Sequence, residues 1–129
     1  AAIHVATTST STPRGILSAQ HNTDTHGARF TMRKSRGTEA SPLIVAAGDS
    51  LGRIIASGYD GSNYLEAAEI RIETDGTLAA TRVPSRITFH TATDAAPSVV
   101  TERMRISRAG KVTIGSTSTP GPAVPFGRG

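Results

Sequence analysis

The chain has 129 residues and a formal net charge of +4, one domain's worth of polypeptide on size alone. Zero cysteines exclude disulfides, thiolate metal sites and a cysteine nucleophile, and no apolar run approaches the roughly 18 residues that cross a bilayer. Leu, Ile, Val and Phe number 25 of 129, just under the roughly 20% below which an isolated core becomes doubtful. With neither a covalent staple nor a zinc cluster to compensate, association with other chains is the remaining route to stability. Thr, Val and Ile dominate the periodic stretches, which is a β composition. The basic charge comes mostly from twelve arginines, and it permits contact with phosphate-rich surfaces without demanding it. No basic-then-apolar leader opens the sequence, so a soluble protein without membrane insertion is expected. The first residue, Ala1, is not Met and points to a processed product or a fragment.

In chain order, TTSTSTP at 7–13 and STSTP at 116–120 place the same Ser-Thr-Ser-Thr-Pro string near both ends. It reads either as chance in a Thr-rich chain or as a junction between stacked modules. Between the strings, strands are predicted at 28–34, 43–47 and 53–57. Strict alternation follows in AEIRIET (68–74), where Ile70 and Ile72 face inward and Glu69, Arg71 and Glu73 outward. RITFHT (86–91) sends Ile87 and Phe89 inward, ERMRIS (102–107) Met104 and Ile106, and KVTI (111–114) Val112 and Ile114. Turn signals separate these runs at Arg36-Gly37, Gly48-Asp49, Asp60-Gly61, Asp75-Gly76, 94–97 and Ala109-Gly110. LEAAE (65–69) would tolerate a helical turn, but the alternation continuing into Ile70 and Ile72 favours a strand start. The fold class is therefore all-β, a meander of short antiparallel hairpins. Each strand offers only two or three large apolar groups, so an isolated sheet leaves one face poorly covered.

The stretch LIVAAGDSLG (43–52) carries the Gly-Asp-Ser-Leu block of a family of lipolytic serine hydrolases. A serine needs a base to take its proton and donors for the oxyanion. That family supplies the base from a late Asp-x-x-His block, which this sequence lacks; Asp24-Thr25-His26 has the wrong spacing and precedes Ser50. Ser50 is therefore read as a turn residue and no catalytic residue is expected.

Read as turns, the glycines join a longer pattern: SRGT (35–38), GDSLG (48–52), SGYDGSNYLEAAEI (57–70), Asp75-Gly76-Thr77, Pro84 with Arg86, Phe89 and Thr91, TERMRI (101–106) and GKVTIG (110–115). In order and spacing this resembles a module of bacteriophage tail fibres. The resemblance implies an intertwined homotrimeric fibre of β-prism or triple-stranded β-helix type, with three chains sharing one core. The thin core then becomes adequate, because apolar stripes too narrow for one chain bury one another around a threefold axis. The chain departs from the family pattern at Arg82-Val83-Pro84-Ser85, where Met-Pro-Gly is common, and no self-cleaving chaperone domain follows Gly115. The expected organisation is an N-terminal segment with shaft-like strands over 1–34, the fibre module over 35–115, and a Pro/Gly/Ser/Thr-rich linker over 116–129.

Several residues admit a sharper reading. Asp60-Gly61 and Asp75-Gly76 lack the alternating oxygen ligands of a calcium loop and read as hairpin turns. His21 and His26 would meet on a threefold axis as metal ligands, but they lie in HNTDTHG without same-face spacing and read as surface histidines. No metal and no cofactor is expected. Arg82, Arg86, Arg103, Arg105 and Arg108 form either an outer ladder gripping phosphates or a solvated face paired with Glu69, Glu73 and Glu102. The paired face is preferred, and two lysines with few aromatics argue against nucleic acid.

The expected function is a non-enzymatic structural segment of a tail fibre on the virion, helping attach it to its bacterial host. Its partners would be further copies of itself, other tail proteins and a bacterial surface glycan. Receptor contact is expected in exposed loops at 58–66, carrying Tyr59, Asp60, Asn63 and Tyr64, and at 92–98. The alternative from another class is a carbohydrate-binding module stacking a sugar on Tyr59 and Tyr64. A polysaccharide depolymerase would need carboxylates about 5 to 9 Å apart, and Asp60, Glu66 and Asp75 offer the candidates.

Overall fold

Two-residue alternation over 68–74 and 86–91 commits the chain to a sheet, and the computed structural model, which describes residues 3–8 and 15–115, has strands and no helix among them. Both Ser-Thr-Ser-Thr-Pro strings and the linker expected over 116–129 lie outside these residues. The chain divides into two units, Ala1–Thr31 and Met32–Gly129.

The first unit contains no strand among its described residues. The alternation at 28–34 finds no ladder partner, and Phe30 stands 81% exposed. A strand without a neighbour leaves its backbone groups to water and gains little from its pattern. A bend at 23–25 is held by the Asp24 carboxylate, which accepts the His26 N–H at 2.8 Å.

The second unit begins with a small hairpin, β1 (Arg36–Gly37) against β2 (Pro42–Leu43). Arg36-Gly37 is thus a strand where a turn was expected. The reversal comes at 38–41, where Thr38 and Ser41 exchange backbone hydrogen bonds of 3.2 Å. Gly37 has φ 75°, and a Cβ there would meet the Ser41 carbonyl at 2.5 Å. The predicted strand 43–47 stops at Leu43. Residues 44–49 then fold back over the end of the main sheet: the Thr74 hydroxyl donates to the Ala46 carbonyl at 2.6 Å, and the Thr74 N–H to the Asp49 carbonyl at 2.9 Å.

The main sheet is an antiparallel meander of β3 (Ser50–Tyr59), β4 (Tyr64–Thr74), β5 (Ser85–Ala92), β6 (Val100–Ile106) and β7 (Val112–Ile114), paired in sequence order. LEAAE lies inside β4, as the alternation required. Register converts the pattern into two cross-sheet rows on one face. One row runs Ile54, Ile70, Phe89, Met104, Ile114; the next runs Gly52, Ile72, Ile87, Ile106, Val112.

The inward direction expected for these side chains leads to no closed core within one chain. Their face is thinly covered: Met32 lies against Gly52, where an added Cβ would meet its sulfur at 2.7 Å, but Ile54 is 56% and Ile114 52% exposed, and Val45 is the one buried hydrophobic residue among those described. The buried groups are instead polar, namely Glu69, Thr74, Thr88 and His90. Three of these belong to the opposite face, where the guanidinium groups of Arg53 and Arg71 meet the Glu69 carboxylate.

Candidate functional site

Tyr59 ends β3, Tyr64 begins β4, and the two are cross-strand partners. Their rings sit 5.2 Å apart at 49°, and the residues are 60% and 77% exposed. Such a pair supports a hairpin and also offers aromatic surface to solvent. The turn between them is built by Asp60, whose carboxylate accepts the Ser62 and Asn63 backbone N–H groups, both at 2.7 Å. Those two bonds, Asn63's the larger, hold the Asp60 carboxyl below its ordinary range.

Because a meander returns to the same end every second connection, the β5–β6 loop lies beside this hairpin. It is closed by the Thr93 N–H to the Val99 carbonyl at 2.9 Å and the Val99 N–H to the Thr93 hydroxyl at 3.0 Å. Ala92 and Ser98 then join Gly58, Tyr59, Asp60, Leu65, Glu66 and Ala67 around a shallow depression of about 260 Å³. The structure therefore brings the two loops singled out for receptor contact to one end of the sheet. Asn63 enters this end through its backbone.

The polar face behind the hairpin is a lattice of alternating charges. The Glu69 side chain is 0% exposed, between the guanidinium groups of Arg53 and Arg71. Burial pushes its carboxyl upward, but bonds from Arg71 and then Arg53 overcome this and hold it below the ordinary range. Arg86 meets Glu73 at 3.0 Å and Asp75 at 3.5 Å, and Arg105 meets Glu102 at 2.7 Å. His90, cross-strand neighbour of both Glu69 and Glu102, bonds the Thr88 hydroxyl at 3.0 Å. Burial, followed by the charge of Arg71, lowers its pKa and favours the neutral ring.

The expected pairing of five arginines with Glu69, Glu73 and Glu102 holds for Arg86 and Arg105. Glu69 is instead served by Arg53 and Arg71, which sequence reasoning missed, since only the register shows that they flank it. Arg103 bonds the Thr91 hydroxyl at 3.0 Å. Arg82 and Arg108 go to the far end of the sheet, lining a cleft of about 540 Å³ with Ile44, Val45, Leu78 and Pro84. No sequence signal marks that cleft.

Among the other singled-out residues, Ser50 opens β3 opposite Glu73. Asp60 and Glu66 share the depression, whereas Asp75 lies beyond the other end of β4, about 30 Å along the strand from them. His21 and His26 are exposed, and the His26 Nδ1 lies 3.3 Å from Asp24. The described residues contain no cluster of three His, Cys, Asp or Glu side chains able to hold a metal.

Fold and site together define an all-β antiparallel module with one charge-satisfied face, one thinly covered apolar face and an aromatic hairpin tip. No protein-family model matches the chain, and no curated protein is similar to it.

Proposed function

We propose that this chain is a structural segment of a bacteriophage tail fibre, assembled as a homotrimer in which the apolar faces of three sheets close around a common axis. One observation carries the reading: two rows with nine apolar side chains cross five strands and none of the nine is buried, while the single buried hydrophobic residue described is Val45. Withdrawing each half-exposed Ile or Phe from water contributes about 1 kcal/mol, so a chain left alone forgoes the main driving force its own pattern supplies. The opposite face needs no partner, because its glutamates and Arg53, Arg71, Arg86 and Arg105 neutralise one another in place. The order of the sequence blocks from SRGT to GKVTIG supports the fibre family in particular.

In this assembly the hairpin tips with Tyr59 and Tyr64 project at one end beside the 93–99 loops. The segment acts as a spacer and presents these tips to the bacterial surface. Sedimentation equilibrium at micromolar concentration is expected to return three times the chain mass of 13.3 kDa, and a monomer that melts cooperatively would sink the reading. For the tip, glycan-array binding that disappears in Tyr64→Ala is expected, and undiminished binding by that variant would remove the tip from the contact.

A further inference from the structure

We propose that the cleft at the far end of the sheet binds a phosphate group carried on a small organic body, a sugar phosphate in class, with Arg82 and Arg108 as its guanidinium ligands. The inference starts from a difference among the arginines. On the strands, Arg36, Arg53, Arg71, Arg86 and Arg105 each meet a carboxylate, and Arg103 meets a hydroxyl. Arg82 and Arg108 form no ion pair among the described residues, and both line the same cleft, whose walls carry no acidic side chain.

The Asp75 carboxylate, beside Arg108, is engaged elsewhere: it faces Arg86 at 3.5 Å and touches Arg108 only at the backbone N–H, at 3.4 Å. Of the Arg108 fork, Nη1 donates to the Asp75 carbonyl at 3.0 Å, which fixes the side chain and leaves further N–H groups to offer. Two guanidinium groups, one of them held in place and neither in an ion pair among the described residues, suit a dianionic phosphate, whose oxygens match the guanidinium fork.

Local backbone geometry also serves this arrangement. A Cβ at Gly76 would come within 2.7 Å of Arg108 Nη1, so only glycine lets that guanidinium lie where it does. Arg82 closes a tight turn in which Ala79 and Arg82 exchange backbone bonds of 3.1 and 3.0 Å. Within that turn Thr81 has φ 62°, a left-handed conformation that a β-branched residue adopts at an energetic cost and that glycine or asparagine would take freely. The volume of about 540 Å³ falls in the usual range for a small-molecule site. Ile44, Val45, Leu78 and Pro84 supply apolar wall for the body of the ligand, which inorganic phosphate lacks.

Isothermal titration of the full chain with glucose 1-phosphate, inorganic phosphate and glucose tests the assignment. Glucose 1-phosphate is expected to bind about tenfold tighter than inorganic phosphate, and glucose not at all. Affinity should fall as NaCl is raised and weaken about tenfold in Arg82→Gln. That exposed side chain bonds no described residue, so the substitution leaves the fold intact, and Arg103→Gln, in the middle of β6 and outside the cleft lining, serves as a control without effect. Unchanged affinity in Arg82→Gln, binding of glucose equal to its phosphate, or no binding of either phosphate at about 10 mM would overturn the site. Equal affinity for the two phosphates would overturn the organic body.

Discussion

Thr81 and His90 show how single residues hold energy that composition does not display. Thr81 sits at φ 62° in a turn whose other bonds are normal, and relieving that conformation with glycine is expected to stabilise the chain by about 1 kcal/mol, net of glycine's extra chain entropy. A urea midpoint that stays level or falls for Thr81→Gly would show that the turn is unstrained. His90 faces Glu69, Arg71 and Glu73 on β4 and Glu102 on β6, and its pKa is lowered, mainly by burial. A base whose folded pKa lies below its unfolded value of about 6.5 makes the unfolded chain take up the proton first. Stability is therefore highest above that value and falls as pH drops through the folded pKa. A second decline follows below about pH 4, as the depressed carboxyls of Glu69 and Asp60 protonate. Urea midpoints from pH 8 to 3 should show both limbs, with only the lower one in His90→Gln. Superimposable profiles would remove His90 from the account.

Among the elements, the β1–β2 hairpin depends on one close approach, and its reversal was misjudged from sequence for that reason. Arg36-Gly37 has the composition of a turn, yet the chain turns at 38–41, because Arg36 is drawn to Asp49 by a two-pronged bond of 2.8 Å. That attraction spans thirteen residues and leaves no local trace. Gly37→Ala places a methyl against the Ser41 carbonyl in a left-handed conformation, at about 2 kcal/mol. Exchange of the Thr38 and Ser41 amides should accelerate roughly thirtyfold, with β4 and β5 amides unaffected. Equal loss of protection across the main sheet would mean that the hairpin and sheet unfold as one unit. The longer strands were legible, by contrast, because Glu69 through Glu73 and Arg86 through Thr91 alternate without interruption.

At the scale of the whole molecule, what matters is that the apolar face is continuous across β3 to β7 while the charged face is already satisfied. If copies associate through the apolar rows, a charge at their centre must prevent it, since a carboxylate buried there finds no cation. Ile70→Glu is expected to sediment as a monomer, whereas Thr113→Glu, on the charged face beside Arg105, should keep the parental mass. Association retained by Ile70→Glu would place the contact elsewhere.

Alternation, turn chemistry and a shortage of large apolar residues determined by themselves that the chain forms antiparallel strands and that its sheet is thinly covered, because both follow from counting side chains along one strand. Which arginines meet which carboxylates, that Tyr59 and Tyr64 stand beside the 93–99 loop, and that Arg82 and Arg108 share a cleft were decided only by register and connection. Those facts join residues far apart in the chain, and an attraction between distant charges exists only after backbone hydrogen bonds have set the strands side by side.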